Sequence, residues 1–379
     1  ANSTLQIQPA LNLGTSLKPV DDSTVIFAEN GGKVQVGGNI TVYGENSHGI
    51  YAKDLATNIS NISGNSIDII TNGDKSASIF SEGATITLAN GGNYKALGDE
   101  SLTVYSDNGT VNLTGSGQTY EVGKDGVLFY SDNTGVINVN NTSGNAVLKV
   151  GEGSMFSVIG SGGGNINFSG AAGTFKVTLE NNATGFKYTG TGANITPALL
   201  ATALATSYSG LTNLDITLNS GSRLFVLENY GEMKMSDVGA ISTGGGIFNT
   251  VSGSGKNAYL WKGVLRLDPS SGIVDLDNAS DFYNSVEKSV SGVYVNSGVT
   301  VNGASDNQIA FADINPYATI YVKMTNDGTV NLSGKNTIGI YTDNGEITNN
   351  GALNVTGQGG LALFGENDTK IKNNGAVTI

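Results

Sequence analysis

Few residues in this sequence have the types and spacing for chemistry. His48 is the single histidine. A Ser–His–Asp relay would need a serine nucleophile presented to it, and no Gly-x-Ser-x-Gly segment with a helix behind it occurs. Between Ser47 and Gly49, His48 reads as a turn residue. Asp275 and Asp277 form an i, i+2 pair on one face of a short strand. Such a pair could hold a cation or divide acid and base roles on a polysaccharide; the alternative is two solvated surface acids. Gly253-Ser254-Gly255-Lys256-Asn257 has the outline of a phosphate loop, but Thr250 stands where its first glycine belongs. Asn257 replaces the hydroxyl that would reach magnesium. Gly160-Ser161-Gly162-Gly163-Gly164 reads as a flexible turn, since no helix follows it.

The absence of cysteine removes disulfides, zinc–thiolate sites and iron–sulfur clusters from consideration. These residues assign no catalytic role, metal or cofactor, and the reading is of a protein that is not an enzyme. The residues best suited to partner contact are aromatic. Tyr259-Leu260-Trp261-Lys262 holds the only tryptophan. Trp261 is either an interface anchor or a core residue in a widened coil. Tyr283 and Tyr317 are further candidates for contact.

The elements that must carry these residues are short and repeated. Gly328-Thr329-Val330-Asn331-Leu332-Ser333-Gly334 is followed by Gly351-Ala352-Leu353-Asn354-Val355-Thr356-Gly357 and by Gly375-Ala376-Val377-Thr378-Ile379. The leading glycines, Gly328, Gly351 and Gly375, recur at a nearly constant interval. Between them lie Ile338-Gly339-Ile340-Tyr341 and Leu361-Ala362-Leu363-Phe364, then Glu346-Ile347-Thr348 and Lys370-Ile371-Lys372. Apolar and polar residues alternate in each, which is the period of a half-buried strand. Gly, Asn and Asp punctuate them as turn formers. The same grammar recurs at Gly109–Gly115, Val127–Tyr130, Gly135–Val139, Gly38–Gly44, Gly49–Ala52 and Gly298–Gly303. The pattern predicts an all-β fold: a right-handed parallel β-helix with about three short strands per coil of roughly 23–24 residues. Were every residue in a coil, there would be about 16 coils and a rod on the order of 75 Å.

Interruptions are also legible. Thr196 and Pro197 are the N-cap and first position of a helix through Ala205, with Gly210 as its stop. A second helix is predicted over 281–288, and 304–318 is irregular. Residues 1–24, with Pro9 and Pro19, lack the coil pattern and are expected to form a cap or irregular segment. The domain reading is therefore that segment followed by a β-helix over 25–379, with insertions near 186–215 and 278–318. The final residues read as the opening of another coil, so the chain is expected to be truncated mid-repeat.

Composition limits the function. The chain has 379 residues, 32 acidic against 19 basic, a net charge of −13 and only 13% charged residues. Nucleic acid is excluded as a partner, because no cationic footprint exists to neutralise phosphates. No apolar run approaches the ~20 residues that span a bilayer.

The runs Ile338-Gly339-Ile340-Tyr341-Thr342-Asp343-Asn344-Gly345 and Ile347-Thr348-Asn349-Asn350-Gly351-Ala352-Leu353-Asn354-Val355 resemble the passenger regions of large type V secretion (autotransporter) adhesins, particularly fusobacterial outer-membrane adhesins. The resemblance is strongest over 326–379, visible over 34–150 and poor over 152–325. It implies a passenger displayed on the bacterial cell surface and tethered through a C-terminal outer-membrane barrel outside this chain. It implies binding to a host-cell surface protein or glycan, or to a partner bacterium. The expected function is therefore a non-catalytic adhesin fragment, with contacts on the insertions. A purely structural stalk, a β-helical carbohydrate-active enzyme and a membrane-active passenger are the alternatives.

Overall fold

A computed structural model describes residues 3–170, 173–242, 246–312 and 321–379. The fold is a β-solenoid of parallel sheets with two short α-helices, and the described strands make about 13 turns in all. The chain forms two compact units, 1–186 with 201–224 and 244–255, and 187–200 with 225–243 and 256–379.

In the first unit, three stacks of strands line the coil. One starts with Thr4–Ile7, Lys33–Val36 and Asn58–Asn61; a second starts with Leu11–Leu13 and Ile40–Val42. The third runs through Thr24–Ala28, His48–Lys53, Ala77–Glu82, Leu102–Asp107, Val127–Asp132 and Met155–Ile159. The second unit repeats the plan with stacks that include Val264–Leu267, Thr300–Gly303 and Ile338–Thr342.

Alternation explains the core. Ile86, Val111, Ile137 and Ile166 are register partners and all fully buried. Each such side chain contributes roughly 1.5–3 kcal/mol on leaving water. Aromatic rings fill neighbouring core positions farther along. Phe129, Phe156, Phe168 and Phe175 are fully buried or nearly so, and their ring centroids lie 5.4–5.9 Å apart.

The polar composition also has a structural use. Residues 22, 46, 75, 100 and 125 adopt left-handed backbone at one corner, and serines follow the first four. Ser47, Ser76 and Ser101 are completely buried. The Ser76 hydroxyl accepts from Ser47 N at 3.1 Å and donates to the Gly44 carbonyl at 2.9 Å. Ser101 repeats this with Ser76 N and Gly73. Backbone groups that the corner takes out of the ladder thus keep partners. Asparagines form amide columns: Asn138 donates to Asn112 and Asn167 to Asn138, each at 2.8 Å. Asn331 and Asn354 extend a similar column from Asn302.

The structure corrects several expectations. Thr4–Ile7 and Leu11–Leu13 pair in parallel with Lys33–Val36 and Ile40–Val42, so most of 1–24 is coil and not a separate cap. The prolines fall between strands, where no ladder hydrogen bond is lost. The short coil period holds near the C-terminal end, where Thr329 pairs with Ala352. Elsewhere most register steps are longer, as from Thr4 to Lys33 and from Thr85 to Thr110. The first helix, α1, spans Pro197–Ser207, and Thr196 Oγ1 accepts from Leu199 N at 3.2 Å. Gly210 does not stop it, because a strand residue pair, Tyr208–Ser209, intervenes; Gly210 precedes a 3-10 turn with φ 72°. The segment 281–288 is a 3-10 turn, Phe282–Ser285, capped by Asp281, and then a strand. Within 304–318, residues Ile309–Ala312 form a strand. A second short helix, α2 (Met235–Ser242), is not signalled by the sequence pattern.

Candidate functional site

The outward positions of the third stack in the first unit carry an aromatic column. Phe27, Tyr51, Phe80, Tyr105 and Tyr130 are successive register partners. Their ring centroids are separated by 5.2, 4.9, 4.4 and 5.0 Å. Phe27 is 49% exposed and the other four are half-buried. Strand alternation places them outside, since Ile26, Ile50, Ile79 and Val104 occupy the core. A contiguous apolar stripe on a solvated face is what marks contact surfaces.

Two further columns border the rings. On one side His48, Ala77, Leu102, Val127 and Met155 are in register. His48 opens a strand and is not a turn residue. Its ring lies 5.5 Å from Tyr51 and 5.3 Å from Phe80, and burial pulls its pKa down. On the other side Lys53, Glu82, Asp107 and Asp132 are in register. Tyr51 donates its hydroxyl to Glu82 at 2.5 Å, and Lys53 reaches the same carboxylate at 3.5 Å. Asp132 accepts from the backbone of Asn133 and Gly162, and Asp107 from the Asn108 and Asn133 side chains.

The electrostatics follow from this arrangement. Burial and the Glu82 hydrogen bond push the Tyr51 phenol up to about 12, with Glu29 and Asp54 adding to the effect. Burial and the charge of Asp107 do the same for Tyr105, also to about 12. Beyond burial, both shifts share a source, the row of carboxylates beside the rings. A shorter version of this grammar occurs in the second unit, where Tyr341 and Phe364 lie 5.5 Å apart and Tyr341 donates to Glu366 at 3.2 Å.

The aromatic residues singled out in the sequence are placed differently. Tyr259 and Trp261 are outward and half-buried, while Ala258 and Leu260 fill the alternate, core positions. Trp261 is therefore not a core residue of a widened coil. Lys262 lies over its ring at 4.5 Å. Tyr283 is buried, with its hydroxyl 3.5 Å from the Ala310 carbonyl and Lys288 over its ring at 3.5 Å. That packing removes Tyr283 from the surface and corrects its reading as a contact residue. Tyr317 lies outside the described residues.

Asp275 and Asp277 are occupied in holding backbone. Asp277 N donates to Asp275 at 3.0 Å. Asp277 accepts from the Ser305 hydroxyl and from the backbone of Ala304 and Ser305, and these bonds hold its carboxyl below the usual range. Among the described residues no group of three or more His, Asp or Glu side chains converges as a metal site would require, and no helix is long and apolar enough to cross a membrane.

The face of Phe27, Tyr51, Phe80, Tyr105 and Tyr130 escaped sequence reading although its spacing was available. The steps are uneven, and the one from Tyr51 to Phe80 is longer than those on either side. A search at one fixed period loses the column there. No protein-family model matches the chain, and no curated protein or solved structure matches it.

Proposed function

We propose that this chain is the solenoid part of a surface-displayed attachment protein that performs no catalysis itself. The class it fits is the type V secretion adhesin passenger, held at the outer membrane by a C-terminal barrel outside this chain. Its ligand would lie on a host-cell protein or glycan, or on a neighbouring bacterium. The observation that carries this reading is the aromatic column on the outer face of a repetitive scaffold. Five rings kept partly in water, when neighbouring Phe129 is completely buried, are a standing cost that contact with a partner would relieve. The engagement of Asp275 and Asp277 with backbone supports the non-enzymatic reading over the carbohydrate-active one.

The test is a binding assay on host cells and on other bacteria with the purified chain. Replacing Tyr51, Phe80 and Tyr105 by serine should abolish binding. Replacing Tyr259 and Trp261 by serine should leave most of it. Equal binding by the wild type and the first variant refutes the placement of the contact face. A wild-type chain that binds no cell leaves the structural stalk as the better reading.

A further inference from the structure

We infer that the partner of the aromatic face is an extended polypeptide segment bearing lysine or arginine. This rests on the attachment reading above and names the chemistry of the ligand.

Charge comes first. Glu82, Asp107 and Asp132 run in register directly beside Tyr51, Phe80, Tyr105 and Tyr130. Glu29 and Asp54 also act on Tyr51. Lys53 is the cation of that row, and it is joined to Glu82. A neutral partner laid over the rings would take these carboxylates from water and give them nothing charged in return, which is costly. A cationic partner would pair with them. Tyrosine and phenylalanine faces also attract ammonium and guanidinium groups. The net charge of −13 draws the same class of partner from a distance.

Ring orientation separates this class from a neutral sugar. A pyranose stacks on a flat, open ring face. Here three of the four successive pairs turn against one another, by 64° for Phe27 and Tyr51, 72° for Tyr51 and Phe80, and 85° for Tyr105 and Tyr130, while Phe80 and Tyr105 are tilted by 34°. They present alternating edges and faces with slots between, which suit the stems and heads of long cationic side chains. In the bordering column, half-buried Leu102 and Val127 supply an apolar bed for the chain that carries them.

The experiment uses the full chain and a fluorescein-labelled peptide of alternating lysine and threonine. Matched peptides carry glutamate or serine in place of lysine, and binding is followed by anisotropy. The lysine peptide should bind at least about tenfold more tightly than the serine peptide, and the glutamate peptide should not bind. Raising salt from about 50 to about 300 mM should weaken it about tenfold. The variant Glu82→Gln/Asp107→Asn/Asp132→Asn, nearly isosteric and checked for an unchanged circular dichroism spectrum, should lose about tenfold, at roughly two- to threefold per carboxylate. A lysine peptide no tighter than the serine peptide, or binding indifferent to salt and to the charge-neutral variant, overturns the inference.

The cell assay distinguishes the two levels. If the Tyr51, Phe80 and Tyr105 variant loses cell binding while the charge-neutral variant keeps it, attachment stands and the ligand class falls, with a neutral glycan then indicated. If both variants keep full cell binding, the aromatic column is not the contact face and the ligand class falls with it; if the wild type binds no cell, the attachment reading itself fails.

Discussion

Replacing Gly123 by alanine tests how tightly the coils are stacked. A methyl group built on Gly123 would lie 2.6 Å from the Gly98 carbonyl oxygen and 2.7 Å from the Leu97 carbonyl carbon. Both atoms are backbone of the coil below, so no side chain can swing aside. Gly123 is not in the left-handed region, and alanine meets no dihedral objection there. The whole effect must then come from spacing. Restoring ordinary contact requires the corner to open by roughly 0.5–1 Å. The Gly123 N to Ala96 O bond, 2.7 Å long, spans that gap and would stretch. Overpacking costs about 1–3 kcal/mol and a weakened backbone bond about 1 kcal/mol, so a loss of about 2–3 kcal/mol is expected. Urea unfolding followed by circular dichroism gives the global value. Hydrogen exchange of the amides around 94–130 gives the local one, because stacked repeats couple chiefly to their neighbours. Gly239→Ala is the control: a methyl there meets none of the described residues within 4 Å, and its place inside α2 predicts a gain of about 0.5–1 kcal/mol. A Gly123→Ala chain within about 0.5 kcal/mol of wild type would show that backbone contact does not set the spacing at this corner, and the reasoning would fail.

Further outcomes follow from the polar groups. The Tyr120 hydroxyl is buried and has no hydrogen-bond partner among the described residues, so Tyr120→Phe should leave stability unchanged or raise it by up to about 1 kcal/mol in a denaturant titration. Arg266 grips Glu232 through Nε at 2.9 Å and a terminal nitrogen at 2.8 Å, donates to Asn296 and lies over the Tyr294 ring. Arg266→Lys loses the fork and should cost about 1 kcal/mol, discounted for partial exposure, by thermal unfolding. Burial, with Lys256 nearby and against the attraction of Asp281, brings the Lys288 ammonium down to about 7. Between about pH 7 and pH 10 the unfolded chain holds a proton that the native chain has released, so stability rises with pH across that window. Urea midpoints at about pH 7 and pH 9 should rise less in Lys288→Met; the perturbed tyrosines titrate above this range.

Much of the fold was legible because strand alternation and turn chemistry are local signals. Gly328–Gly334 and Gly351–Gly357 announce their strands, and Thr196-Pro197 announces α1, as the Thr196 cap bears out. What misled were signals whose meaning depends on neighbours in space. Pro9 and Pro19 suggested a break, but between strands they interrupt nothing. Met235–Ser242 contains Gly239 and lacks the cap signals of α1, so packing of Met235, Val238 and Ile241 decides its helix. The proposed contact surface was the least legible part. Trp261 and Tyr283 drew notice by rarity and by place in an interruption, yet exposure depends on strand phase and on what covers a ring. The column from Phe27 to Tyr130 is made by register across coils of unequal length, and no single segment shows it.

The register has one more consequence. Thr85 pairs with Asn58 in the coil before it and with Thr110 in the coil after it. Parallel sheets are usually slow to form because their strands must find partners far off in the chain. Here each partner is the preceding coil, which is already in place, so each closure spans only the chain of one coil. Growth can proceed from a finished edge without waiting for the rest. A chain supplied one end first would set as it arrived, each completed coil serving as the mould for the next.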